Sequence, residues 1–310
     1  MSESIYDQTN EDYLRKIIET QDKMEAEPNT VLDKILSQKT DIREISGNKS
    51  ISPSILPSKG LFYPKDLVIT ISPLKVKQIR HFSSIDETDE IDISSKLNFV
   101  INSSVSVQTS TPNFSSSSLL EMDRLYLLFL VRNITFIEFP SIIKLESTCD
   151  HCGQIDMVDL KAERLGSLKE GALDDYIPMY SAETRSIRFE MNDETIDFYL
   201  PTIQNLDESR RQIIKHNLSF EQQDRFMLCF LVPPNKSLKE TDFQEFDSLM
   251  ENWSPDKYAA VRSFVNTVNS AYSINVYYKC SDCGAGVATP LRFHGGIKEL
   301  FIPRISNKSK

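Results

Sequence analysis

The chain has 310 residues, 40% of them hydrophobic, with a formal charge of −10 at pH 7 and a pI near 5.1. That length carries one large or two modest domains, and that apolar fraction excludes a disordered composition. The acidic balance argues against non-specific nucleic-acid binding, and the scarcity of glycine (9 residues) against glycine-rich phosphate loops.

The N-terminal stretch MSESIYDQTNEDYLRK lacks the apolar core of a signal peptide. The most apolar run, Leu125 to Val131, falls far short of a bilayer and is flanked by Asp123, Arg124 and Arg132. It reads as a buried helix, so no membrane span is expected. A reducing, cytoplasmic setting follows, in which paired cysteines suggest metal before disulfide.

In chain order, residues 1–55 read as an extension. Tyr13, Leu14, Ile17, Ile18, Gln21 and Met24 recur at helical spacing, which predicts an amphipathic helix over 10–25. Val31, Leu32, Ile35 and Leu36 suggest a shorter one, and residues 37–54 a polar linker. These helices either pack on their own domain or dock on a neighbour.

A first α+β half is expected over 56–165. It holds a strand from Leu67 to Ile71, a helix from Glu90 to Val105, and a stronger helix from Ser117 to Arg132 with Ser117 as its cap. Strands Ser141–Ser147 and Ile155–Leu160 follow. Residues 166–184 read as a charged connector. A second α+β half, 185–302, opens with a hairpin over Ser186 to Tyr199 that turns at Asn192-Asp193. Helices are expected near 206–217, 220–232 and 255–270, the second with a capping box of Ser219 and Gln222. Strands Ile274–Tyr278 and Val287–Phe293 close this half, and 303–310 is a polar, basic tail.

The two halves share an order of signals. Asp123-Arg124 before LYLLFLV resembles Asp224-Arg225 before FMLCFLV. Residues 61–74 align without a gap against 189–202, with Pro73 over Pro201, and each half ends in strand, CxxCG, strand. A duplicated ancestor accounts for this order; so does the general likeness of apolar helices.

The two CxxCG pairs, Cys149/Cys152 and Cys280/Cys283, carry the sharpest chemistry. Such a turn aims both sulfurs at one ion, and its glycine permits the backbone reversal. Four thiolates fill a tetrahedral shell and leave no place for a reactive water, so the expectation is one structural zinc, with no catalytic role. Lys279 or turn amides would offset the negative charge of that centre. Cys229, in an apolar segment, reads as core; His151 as exposed; His294 as a minor substitute ligand; His81 and His216 as unconnected with a site. Acidic clusters at Asp86–Asp92 and Asp174-Asp175 read as solvated faces. No nucleophile elbow, Walker motif, dinucleotide fingerprint or HExxH is present.

The segment Leu56-Pro-Ser-Lys-Gly-Leu-Phe-Tyr-Pro64, a strand with Pro73-Leu74, the helix Asp123 to Arg132 and the β-segment ending in Cys149-Asp-His-Cys-Gly153 together resemble the T-even-type phage baseplate protein family. The resemblance covers about residues 56–165, with the second half matching more loosely. It implies a component or assembly factor of a contractile-tail baseplate hub, with protein partners and no catalysis. The place of action would be the virion or the infected host cytoplasm. A zinc-ribbon transcription or processing factor is the first rival and a metal-dependent enzyme the second. The knuckle flanks oppose the first of these with Asp150, Asp156, Asp159 and Asp282 in place of a basic stripe.

Overall fold

The structure is a computed structural model that describes residues 47–136, 143–160, 165, 169, 171–181, 183–191, 194–215, 221–272, 275–291, 293 and 296–302. The expected helices over 10–25 and 31–36, Ser219, the Asn192-Asp193 turn, His216, His294 and the tail 303–310 lie outside these residues.

The architecture is mixed α+β, as the sequence implies. Strands β1 (Lys49–Ile51), β2 (Val68–Ile71) and β3 (Val105–Gln108) form an antiparallel sheet in that order. Lys49–Ile51 falls inside the expected linker, so the folded body begins ahead of Leu56. Helices α1 (Val76–Ser83) and α2 (Glu90–Ser104) lie between β2 and β3. Asp89 caps α2 by accepting from the amides of Ile91 and Asp92, which satisfies donors the first turn leaves open. Helix α3 (Glu121–Thr135) buries nearly its whole length from Met122 to Ile134. It starts later than the sequence suggests. Ser116–Ser118 is a separate 3-10 turn, and Leu120 precedes α3 without a side-chain cap. A hairpin of β4 (Ile143–Thr148) and β5 (Ile155–Leu160) ends this half.

In the second half, β6 (Tyr180–Ser181), β7 (Ser186–Met191) and β8 (Glu194–Phe198) form a sheet with β7 at its centre. Strand β6 lies in the stretch expected to be connector. Helix α4 (Ile203–Lys215) follows, then a 3-10 segment (Glu221–Phe230) where the sequence suggests an α-helix. Helices α5 (Glu240–Met250) and α6 (Pro255–Ala271) come next. Ser254 caps α6 by accepting from the Lys257 amide, and Pro255 sits where no amide donor is needed. The hairpin of β9 (Asn275–Lys279) and β10 (Gly286–Pro290) completes the set.

The halves share one core. Glu121 N–H donates to Pro201 O (3.0 Å) and Ile203 N–H to Leu119 O (2.8 Å), so the starts of α3 and α4 are tied together. The buried Glu121 carboxylate receives Arg124 at 2.8 Å and Arg210 of α4 at 3.4 Å. Phe198 stacks on Phe264 at 4.4 Å, and Phe301, near the end of the chain, meets Phe82 of α1 edge-on at 5.1 Å.

The gapless alignment sets the buried Ile69 and Ile71 of β2 against the half-buried Asp197 and the buried Tyr199, so burial agrees at one of these two positions. The helix that leads into the second hairpin is α6, so α3 corresponds by position to α6 and not to the 224–232 stretch it resembles. What the halves do share is strand, proline, helix, and the closing knuckle. Both Asp-Arg aspartates also accept a tyrosine hydroxyl, from Tyr63 to Asp123 (2.7 Å) and from Tyr258 to Asp224 (2.8 Å).

Candidate metal centre

Each hairpin presents its cysteines on the same local geometry. Thr148 pairs with Ile155 and Lys279 with Gly286, equivalent positions around the two turns. Cys149 N–H donates to Gln154 O (2.8 Å) and Gly153 N–H returns to Cys149 O (2.9 Å). In the other turn Cys280 N–H donates to Ala285 O (2.9 Å) and Gly284 N–H to Cys280 O (3.1 Å). Gly153 and Gly284 hold φ of 76° and 70°, the left-handed conformation that closes each turn and that a side chain would strain.

The hairpins face each other. Cys149 Sγ lies 3.7 Å from Cys283 Sγ, Cys152 Sγ lies 3.6 Å from Cys280 Sγ, and all four sulfurs fall within 4.8 Å of one another. No disulfide joins them. A tetrahedral ion with metal–sulfur bonds of about 2.3 Å holds its sulfurs about 3.8 Å apart. The four cysteines therefore lie close enough to bind one metal ion, with room for it at the centre. Cys149 and Cys280, the first of each pair, are buried, while Cys152 and Cys283 are exposed.

Backbone amides surround the sulfurs. Burial raises the Cys149 thiol, but the amides of Cys152 and His151 and the adjacent thiols outweigh it and hold the group at about 7. The Gln154 amide lowers Cys152, yet burial and the other three sulfurs push it up to about 12. Cys280 is lowered by the Cys283 amide and raised by burial and by Cys149, and ends above its ordinary value. Four thiolates can share this space only with a cation between them. The turn amides are placed to contribute the offset expected of them or of Lys279.

Two further contacts hold the hairpins in register, and both escaped the sequence reading. Asp156 of β5 accepts from the amide (3.1 Å) and the hydroxyl of Ser281, gripping the opposite turn. The Tyr278 hydroxyl donates to Ser147 Oγ at 2.9 Å within the core. Ser147 and Tyr278 each stand two residues before the first cysteine of their pair, so the contact lies near a local two-fold relation between the knuckles. The spacing to the cysteines was the only sequence signal for either.

Cys229 is fully buried, its thiol pushed up to about 12 by burial, and it lies apart from the four. His151 is exposed, as expected. Asp86, Asp89 and Asp92 serve as local turn and cap acceptors on an exposed surface. Among the described residues no second group of metal-ligating side chains occurs, and no helix is long and apolar enough to cross a membrane.

No family model, curated protein or solved structure matches the chain.

Proposed function

We propose that the chain binds one structural zinc ion through Cys149, Cys152, Cys280 and Cys283, and acts by protein–protein interaction in or during assembly of a contractile phage baseplate hub. The observation that carries the metal reading is the convergence of four sulfurs from two CxxCG turns, 134 and 128 positions apart across the facing pairs. Zinc suits an all-thiolate tetrahedron with no geometric preference of its own. Because cysteine fills every position, the ion would staple the fold and leave no site for a reacting water. The same donor set speaks against a metal-dependent enzyme.

The hub reading rests on the sequence resemblance. What supports it is that the residues carrying the resemblance act together: Ser58 and Tyr63 of the LPSKGLFYP segment both bind Asp123 at the head of α3. Residues 1–37, with their apolar stripe, are the arm that would engage a neighbouring subunit. A pull-down from infected-cell lysate tests this, with full-length protein and a variant lacking 1–37 as baits. Hub or tail proteins should be recovered by the full chain and recovered poorly by the shortened one. If neither bait recovers a tail protein, the hub reading fails, and nucleic-acid binding across a salt series becomes the test of the zinc-ribbon alternative.

A further inference from the structure

Apart from the cysteines, Arg185 stands between β6 and β7. Its Nη1 is buried and lacks any acceptor. The guanidinium lies over the Phe114 ring, 5.6 Å from its centroid, and the groups that act on its charge are the hydroxyls of Tyr180 and Tyr199, both neutral near pH 7. Arg124 and Arg210, by contrast, pair with Glu121, and Arg225 with Asp247.

The backbone around it is unusual in the same place. Among the described residues, four non-glycine positions have positive φ: Lys59 (55°), Phe62 (67°), Asn113 (58°) and Arg185 (56°). Phe62 meets Tyr180 edge-on at 4.9 Å, and Asn113 precedes Phe114, which meets Tyr63 at 6.4 Å and sits under Arg185. Three of these positions are thus Arg185 itself, the neighbour of the ring beneath it, and a residue packed on Tyr180 beside it. Strain of this kind persists where surrounding structure holds it, and it gathers at ligand clamps.

We propose that Arg185, with Phe114, Tyr180 and Tyr199 around it, is a recognition site for an oxyanion: a carboxylate on a partner chain, or free phosphate. A guanidinium presents paired donors that fit either group in a bidentate manner, and its aromatic surround excludes water that would compete for them. The Tyr180 hydroxyl adds a donor beside it, while that of Tyr199 is engaged with Ser186. A purely structural role, with the cation serving as a clamp on Phe114, makes the opposite prediction about stability and so can be told apart.

The test uses the full chain, its arginine side chains labelled with nitrogen-15 and titrated in turn with N-acetylglutamate and inorganic phosphate. The Arg185 Nε–H signal should move saturably with at least one of them. A stronger response to N-acetylglutamate assigns the site to a partner's carboxylate, and the reverse assigns it to phosphate. Arg185→Gly accepts the left-handed backbone without strain, so it should keep or raise the thermal midpoint while losing the ligand-induced rise in that midpoint. Arg185→Lys, which keeps charge but not the fork, should respond more weakly than the wild type. An Arg185 signal that neither ligand moves overturns the proposal, and so does an Arg185→Gly protein that melts well below the wild type.

Discussion

Asp123 shows how much one side chain organises. It is wholly buried and accepts from the Ser58 amide (2.8 Å), the Ser58 hydroxyl (2.7 Å) and the Tyr63 hydroxyl (2.7 Å), while Tyr63 Oη accepts from the Leu120 amide (2.8 Å). Asp123→Ala would strand three buried donors, and the expected loss is about 3 kcal/mol in urea unfolding. Burial raises the Asp123 pKa to about 6, against the Ser58 and Tyr63 hydrogen bonds that lower it. The folded state therefore binds the proton more tightly than the unfolded chain, whose aspartate titrates at about 3.9. Asp123's contribution is most favourable below pH 4 and falls as pH rises to about 6, by up to about 3 kcal/mol. Asp123→Asn removes that slope, so the stability difference between variant and wild type should change across this window and be flat above it. A difference constant from pH 4 to pH 8 would contradict the account. In the sequence Asp123 flanks the apolar run, repeats in an Asp-Arg pair and heads the helix of the family resemblance, and none of these names its partners. Its partners are 60 and 65 positions away in a turn-rich segment, and nothing local announces that they meet. The four cysteines were legible because metal ligands obey a spacing rule set by the ion, whatever the fold around them.

At the scale of elements, legibility followed local periodicity. Strand β5 matches its expected span, and α2, α6 and the β7–β8 hairpin lie within a few residues of theirs. Helix α1 is short and preceded by Lys75; its start is closed when Gln78 Oε1 accepts from the Lys75 amide at 2.6 Å, half of a capping box that lacks the usual serine or threonine to announce it. Helix α5, also led by a lysine, is closed in the same manner by Asp242 on the Lys239 amide. Segment 221–230 winds as a 3-10 helix, a form that its apolar pattern does not separate from an α-helix. The knuckles are the elements whose design yields the cleanest tests. A Cβ added at Gly153 or Gly284 meets nothing within 4 Å, so the cost of alanine there is backbone strain alone, about 1–2 kcal/mol at each site by thermal unfolding. A cost far above that range would mean the turn is crowded in a manner the structure does not show. Asp156→Ala frees the Ser281 turn and should weaken metal retention about 10-fold in a chelator competition, the usual penalty for losing a contact that orients a ligand. Unchanged retention would reduce Asp156 to a surface acceptor.

For the molecule as a whole, the cysteines join hairpins that end two differently built halves. The halves already share a core through α3, α4 and the aromatic contacts, so an ion held by the cysteines would be a second fastening laid over a packed body. The fold class and the pinned ends could be read from sequence. The seam between the halves could not, since it is made by backbone pairing of Leu120 with Thr202 and by Glu121 with Arg210. Structural zinc sites contribute about 10–16 kcal/mol of apparent binding energy, so losing one of four ligands forfeits roughly 3 kcal/mol. Cys149→Ser and Cys283→Ser should each lower the thermal midpoint by about 5–10 °C, and by similar amounts although one residue is buried and the other exposed. An exposed cysteine that could be replaced at no cost would not be a ligand. The most direct test of the central claim is elemental analysis with native mass spectrometry of the purified full chain. The account predicts one zinc per chain, held more weakly when any one of the four cysteines is replaced; a folded chain that carries no metal, or iron in its place, would contradict it.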